Sequence, residues 1–327
     1  MTLLLTRSDI ADLLPIEVCI EAVEHAFRLH GEGRAEPPGI LGIHAHGGGF
    51  HIKAGILDLG RRYFAAKTNG NFPGNPERFG LPTIQGVVLL ADADQGSPLA
   101  LMDSAEITAL RTGAATAVAA KYLSRPDAAV ATVCGCGLQG RVQLRSLAAV
   151  RPLTRAYAID RDPARAAAFA REMSAALGFE VSAGTDLAAA ARASDICVTC
   201  TPSKEPILGL GDAAPGTFIA AVGADNEDKQ ELDPALMASC AIVVDVVEQA
   251  ATIGDLHHAL AAGAVTTADV RAELGQVVAG IRLGRRSKDE VVIFDSTGMA
   301  LQDVAAAAAV YERAVRAGRG VEINLAA

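Results

Sequence analysis

From residue 128 onward the chain alternates short, mainly apolar runs with longer stretches whose apolar residues recur every three or four positions. The runs 128–134, 156–159, 179–181, 195–200, 217–222, 241–245 and 291–294 read as strands, most of them buried on both faces. Between them, 141–150, 163–177 and 186–192 read as helices. Val142, Leu144, Leu147 and Val150 are the apolar positions of the first, and Pro163 occupies the opening turn of the second, where no N–H is needed. Strands separated by helices in this way predict a doubly wound parallel sheet. The first 110 residues follow another pattern. A helix is expected over 15–31, strands over 50–53, 63–67 and 83–90, and a long alanine-rich helix over 107–123. These make a smaller α+β unit on an antiparallel sheet. The opening Met1-Thr2-Leu3-Leu4-Leu5-Thr6-Arg7 reads as an edge strand leading into a helix, and 303–316, with alanine at 305–309, as a tightly packed helix.

The strand at 128–134 runs directly into Gly135-Cys136-Gly137-Leu138-Gln139-Gly140, and the strand at 156–159 ends in Asp160, about 20 residues further on. That is the layout of a dinucleotide pocket. The first glycine permits a tight turn, the second lets backbone N–H groups approach a pyrophosphate, and the third lets helix and strand pack closely. The anion then sits at a helix N-terminus, where unpaired N–H groups and the helix dipole favour negative charge. Asp160 favours NAD, because a carboxylate accepts hydrogen bonds from ribose hydroxyls and repels a 2′-phosphate. Arg161 and Arg165 follow it and keep NADP open as the alternative.

Composition narrows the partners. The net charge is −9 with no basic cluster, which argues against nucleic acid or an anionic membrane surface. No apolar stretch approaches the length of a membrane span, and the first residues lack the features of a signal peptide. The six cysteines lie mostly in apolar strands; Cys197-Val198-Thr199-Cys200 has the spacing of a metal or redox pair but no second pair to complete a metal site. They read as small buried hydrophobes in a reducing cytoplasm. His44, His46 and His51 have no adjacent carboxylate, and no metal is expected.

Three residues are candidates for chemistry. Asp225 follows the strand 217–222 in a glycine-bearing loop, where a carboxylate can shuttle protons during hydride transfer at carbon bonded to nitrogen. Taken alone it also fits a helix cap or a solvated loop acid. Lys67 ends a strand before a turn-rich segment and could hold a carboxylate or polarise a carbonyl or imine; a surface charge is the plainer reading. Arg111 stands among small residues, where a guanidinium needs an anionic partner, whether a substrate carboxylate or a structural ion pair.

Six segments occur in one order: Lys67 with Pro73-Gly74-Asn75; Leu81-Pro82-Thr83 with Gly86; Ile107-Thr108-Ala109-Leu110-Arg111-Thr112; the glycine turn; Val222-Gly223-Ala224-Asp225 with Lys229-Gln230-Glu231-Leu232; and Ser296-Thr297-Gly298-Met299-Ala300-Leu301-Gln302-Asp303. Together they resemble the ornithine cyclodeaminase/mu-crystallin family over essentially the whole chain. The resemblance implies a Rossmann doubly wound parallel sheet, residues 114–300, inserted in a smaller α+β substrate-binding and dimerisation domain, residues 1–113 plus 301–327. It also implies a homodimer. Carried over by position, Lys67 and Arg111 match substrate-contacting residues, Arg111 lying beside the nicotinamide as well, and Asp225 matches the residue of proton transfer. Thr83, Thr112, Gly135, Gly137, Leu138, Gln139, Gly140, Asp160, Arg161, Thr201, Val222, Lys229 and Ser296 fall at or beside cofactor-contacting positions.

The chain departs from the family pattern in two places. A basic residue usually follows the Pro-Pro pair and clamps the substrate carboxylate; here Pro37-Pro38 precedes Gly39. A Met-Pro pair usually follows the next strand, where this chain has Phe50-His51-Ile52-Lys53-Ala54-Gly55. Lys53, with His51, is the expected source of the missing charge. The expectation is therefore a cytoplasmic NAD(P)-dependent oxidoreductase acting on the C–N bond of a small amino or imino acid, reducing an imine or a 2-oxo acid. The altered clamp favours that activity over ornithine cyclodeamination. A non-catalytic NAD(P)H-dependent ligand binder is the alternative from another class.

Overall fold

The computed structural model describes residues 1–325 and divides the chain into two compact units. One comprises Met1–Arg111 and resumes at Met299; the other is Thr112–Gly298.

The first unit is built on a seven-stranded sheet. Its strands are β1 (Thr2–Leu5), β2 (Gly39–Ala45), β3 (Gly48–Asp58), β4 (Arg62–Asn71), β5 (Ile84–Asp92) and β6 (Pro98–Asp103), joined by a C-terminal strand, Val321–Ile323. The order runs C-terminal strand, β1, β6, β5, β4, β3, β2. The opening segment is thus an interior strand and not the edge strand expected from its sequence: it pairs parallel to β6 and antiparallel to Val321–Ile323. β3 and β4 are both longer than expected: cross-strand pairing carries β4 past Lys67 through the polar Thr68, Asn69 and Asn71, and carries β3 past Lys53 through residues 54–57 to Asp58. The helices Ile16–Gly31 and Ala300–Ala317 pack together, and the latter lies on β3 and β4. Its buried alanines at 305–308 present little more than a methyl group each, which allows that close approach.

The second unit holds eight parallel strands: β7 (Val130–Cys134), β8 (Arg155–Ile159), β9 (Glu180–Gly184), β10 (Ile196–Thr199), β12 (Phe218–Ala221), β14 (Ala241–Val244), β15 (Val270–Glu273) and β16 (Val292–Asp295). A separate pair joins β11 (Lys204–Leu208) to β13 (Gln230–Leu232). The order in the sheet is β15, β14, β16, β12, β10, β7, β8, β9. Every residue of β10, β12, β14 and β16 is buried, as their mainly apolar runs required, Thr199 and Asp295 at the strand ends included. The chain winds from β7 outward through β8 and β9, then crosses back to β10 on the other side. The switch point between β7 and β10 is where a doubly wound sheet binds its ligand, at the carboxyl ends of the strands. The sequence reading omitted β15 and the β11–β13 pair, both short and partly polar. No helix in the described residues is long and apolar enough to cross a membrane.

Candidate active site

At the switch point the chain leaves β7 through Gly135, whose φ of 106° is open to glycine almost alone. A Cβ there would stand 2.6 Å from the Cys200 carbonyl oxygen, and one on Gly140 would stand 2.1 Å from that of Gly135. Both positions are closed to any side chain. Gly137 is the opposite case: nothing lies within 4 Å of where its Cβ would be. It caps the helix Leu138–Val150 without any side-chain hydrogen bond, which leaves the first-turn N–H groups without a capping side chain. The helix begins before the expected residue 141 because Leu138, Gln139 and Gly140 form that turn. Asp160 accepts from Cys136 N–H at 2.9 Å and Asp162 N–H at 3.0 Å, which fixes its carboxylate at the mouth of the turn. Arg161 beside it is exposed. An open helix N-terminus next to an anchored carboxylate fits a dinucleotide's diphosphate and its adjoining ribose.

Thr201, Val222 and Ser296 stand just past the carboxyl ends of β10, β12 and β16. Val222 N–H donates to Thr199 O at 2.8 Å and Ser296 N–H to Ala221 O at 2.9 Å, so parallel pairing continues into the loops. Asp225 follows; its side chain is 47% exposed and pairs with Lys229 Nζ at 2.7 Å. The Lys229 carbonyl is itself tied to His258 Nε2 at 2.9 Å. Thr112 lies in the helix Ser104–Leu123, directly after Arg111.

The first unit gathers the other candidates. Lys67, on β4, is 3% exposed, which rules out the surface-charge reading. Its Nζ lies 2.8 Å from the carboxylate of Asp303, in the first turn of the C-terminal helix. Arg111 Nε lies 3.1 Å from the same carboxylate, and its Nη1 donates to Gln302 Oε1 at 2.9 Å. Two buried cations therefore share one buried acid. Burial, followed by the charge of Arg111, lowers the Lys67 ammonium to about 7 despite Asp303. Burial acts against ionisation of Asp303 too, but Lys67 and Arg111 outweigh it and hold the carboxyl below its ordinary value. Lys53 stands directly opposite Lys67 in the β3–β4 register, hence on the same sheet face, and His51 stands opposite Asn69. Asn69 Nδ2 reaches Thr108 Oγ1 at 3.4 Å, one helical turn before Arg111. Thr83 lies just before β5, and its carbonyl accepts from Phe72 N–H at 2.9 Å. Among the described residues, no group of His, Cys, Asp or Glu is placed to hold a metal ion.

The profile of the ornithine cyclodeaminase/mu-crystallin family matches residues 1–318. The chain belongs to that family. It is similar to alanine dehydrogenase of Archaeoglobus fulgidus, with 38% identity over 99% of this chain and 98% of that one. Its fold superposes on an archaeal alanine dehydrogenase dimer with bound NAD at a TM-score of 0.95 and 38% identity, covering 99% of each chain. It also superposes on Δ1-pyrroline-2-carboxylate reductase of Thermococcus litoralis in complex with NADH and L-proline, with a TM-score of 0.93 and 35% identity, over 98% of this chain and 100% of that one. Both likenesses extend over the Rossmann unit and the smaller sheet unit of this family member.

Three buried residues at these positions went unassigned in the sequence: Asp303, Gln302 and Glu231. Asp303 and Gln302 lie in a quoted family segment, yet an acid in the first turn of a helix reads as an ordinary dipole residue. Glu231 sits between Gln230 and Leu232 in a three-residue strand that the sequence does not announce, and nothing local marks it as buried.

Proposed function

We propose that this family member is an NAD-dependent oxidoreductase acting on the C–N bond of a small amino or imino acid, with an imine, or a 2-oxo acid plus ammonia, as the substrate to be reduced. The observation that carries this reading is the pair of buried cations, Lys67 and Arg111, on the single carboxylate of Asp303. Their charge exceeds that of their protein partner in a desolvated setting, and a substrate carboxylate restores the balance. Lys53, across from Lys67, supplies charge that other relatives carry after the Pro-Pro pair, where this chain has Gly39.

Bound NAD supplies the hydride acceptor or donor. The glycine turn and the helix from Leu138 would hold its diphosphate, and Asp160 its adenosine ribose; Leu138, Gln139, Thr201, Val222, Lys229 and Ser296 would complete the contacts, with Thr83 and Thr112. The Asp160 carboxylate, anchored on Cys136 N–H, discriminates against a 2′-phosphate and so against NADP. Lys67 and Arg111 orient the substrate carboxylate and polarise the C=N or C=O group. Asp225, oriented by its pairing with Lys229, moves the proton to or from the substrate nitrogen. Orientation of this kind contributes several kcal/mol of barrier lowering in general.

The assembly is a homodimer. Ile40, Leu41, Ile43, Phe50, Ile84 and Val87 are exposed on the sheet of the first unit, and β2 is exposed at every position. Apolar surface of that extent marks a contact between proteins. All six cysteines are free, which suits the cytoplasm.

The test is oxidation of NADH and NADPH with a panel of 2-oxo acids plus ammonia or methylamine, and with cyclic imino acids. The reading requires NADH consumption matched by amino-acid formation. Ammonia release from ornithine with no net change in NADH would replace it with cyclodeamination, and absence of turnover with every substrate would favour a ligand binder.

A further inference from the structure

Glu231, in β13, is fully buried, and three donors converge on its carboxylate. Thr201 gives both its N–H and its hydroxyl to Oε1, each at 2.6 Å, and Gly223 gives its N–H to Oε2 at 2.8 Å. Thr201 lies past the end of β10 and Gly223 past the end of β12, two neighbouring parallel strands. One carboxylate therefore bridges two loops at the ligand-binding edge of the sheet. Residue 223 has to be glycine: a Cβ there would stand 2.5 Å from Glu231 Cδ and 2.4 Å from Thr201 O.

The bridge is itself anchored. The N–H groups of Glu231 and Leu232 both donate to Asp255 Oδ1, at 2.7 and 2.8 Å. The N–H of Leu256 in turn donates to Asp295, at the end of β16, at 2.8 Å. A buried acid is costly to keep, and an apolar side chain would fill the same volume more cheaply. What a carboxylate adds is a fixed geometry for two loops at once.

We propose that Glu231 is a positioning residue for the coenzyme-binding edge, acting through Thr201 and Gly223 to fix the segment Val222–Gly223–Ala224–Asp225 against the β10 loop. The inference rests on the reading of the second unit as an NAD-binding domain. Asp225 N–H donates to Gly223 O at 3.1 Å, so a shift of Gly223 carries directly to the candidate proton-transfer acid.

The experiment uses the full-length protein with Glu231→Gln and Glu231→Asp. Glutamine keeps the shape but replaces one acceptor with a donor; aspartate keeps the charge but is too short to bridge both loops. NADH binding is read by fluorescence titration, steady-state kinetics with a 2-oxo acid and ammonia, and thermal unfolding alongside. Either folded variant is expected to bind NADH about tenfold or more weakly and to lose kcat, with the KM for the oxo acid unchanged. A lower melting temperature with wild-type NADH affinity and kcat would overturn the proposal, leaving Glu231 a purely structural acid. Failure of the wild-type protein to bind NADH would instead overturn the cofactor reading, and the positioning role with it.

Discussion

Lys67 and Asp303 are 236 residues apart in sequence and 2.8 Å apart in the fold, both buried, with Arg111 on the same carboxylate. The contact gives the small-sheet unit a centre of positive charge with one internal counter-ion. Replacing Asp303 by asparagine strands two cations in a desolvated setting. Removal of one partner from such a cluster costs about 3–5 kcal/mol. Urea unfolding of Asp303→Asn is expected to show a loss of that order; stability equal to the wild type would mean the cluster is solvated.

The lowered Lys67 ammonium predicts a pH dependence. Below about 7 the side chain is charged and attracts a substrate carboxylate; above it the charge is progressively lost. The KM for a 2-oxo acid is therefore expected to rise as pH climbs through this range. In Lys67→Arg the guanidinium keeps its charge, and the rise should disappear even where overall activity is low. For folding the sign differs. The unfolded lysine binds its proton up to 10.5 and the folded one only to about 7, so this group's contribution to stability grows as pH rises between those values.

Asp225 carries the proton in the proposed reaction. Asp225→Asn should lower kcat by roughly 10²–10⁴, the ordinary size of a general acid–base contribution. NADH affinity, read by fluorescence titration, should stay near that of the wild type. Unchanged kcat would remove Asp225 from the mechanism.

The buried acids that anchor Glu231 act on stability. Burial, then the nearby charge of Glu231, raises the Asp255 carboxyl from 3.8 to about 7, and burial with the charge of Asp255 raises Asp295 well above its ordinary value. A raised carboxyl stabilises the fold below its unfolded value, and the benefit is lost as pH rises toward the folded one. Asp255→Asn keeps Oδ1 for the N–H groups of Glu231 and Leu232 while removing the ionisation. Its melting temperature is expected to fall less than that of the wild type between about pH 4 and pH 8. Parallel curves for the two proteins would show that Asp255 ionises normally.

The sequence makes local constraints legible and distant pairings illegible. Gly135, Gly140 and Asp160 could be read because a tight turn and a strand end impose residue types on a short stretch of chain. Lys67, Arg111 and Asp225 stood out as candidates from their strand ends and small-residue surroundings, but each alone also fits a plainer reading, and only several unspecific motifs taken in order suggest their roles. Asp303 and Glu231 were missed because what defines them is burial against residues brought in from elsewhere. The C-terminal strand escaped notice for a similar reason: Val321–Ile323 is short, and only pairing with β1 makes it a strand.

The central claim is that hydride passes between NADH and the substrate carbon bearing nitrogen. The direct measurement is turnover of a 2-oxo acid and ammonia with NADH deuterated at the transferring C4 position, followed by mass spectrometry of the amino acid formed. The account predicts one deuterium at the α-carbon of the product and oxidised coenzyme in equal amount. Product lacking deuterium, or label that stays on the coenzyme while ammonia is released from ornithine, would contradict it.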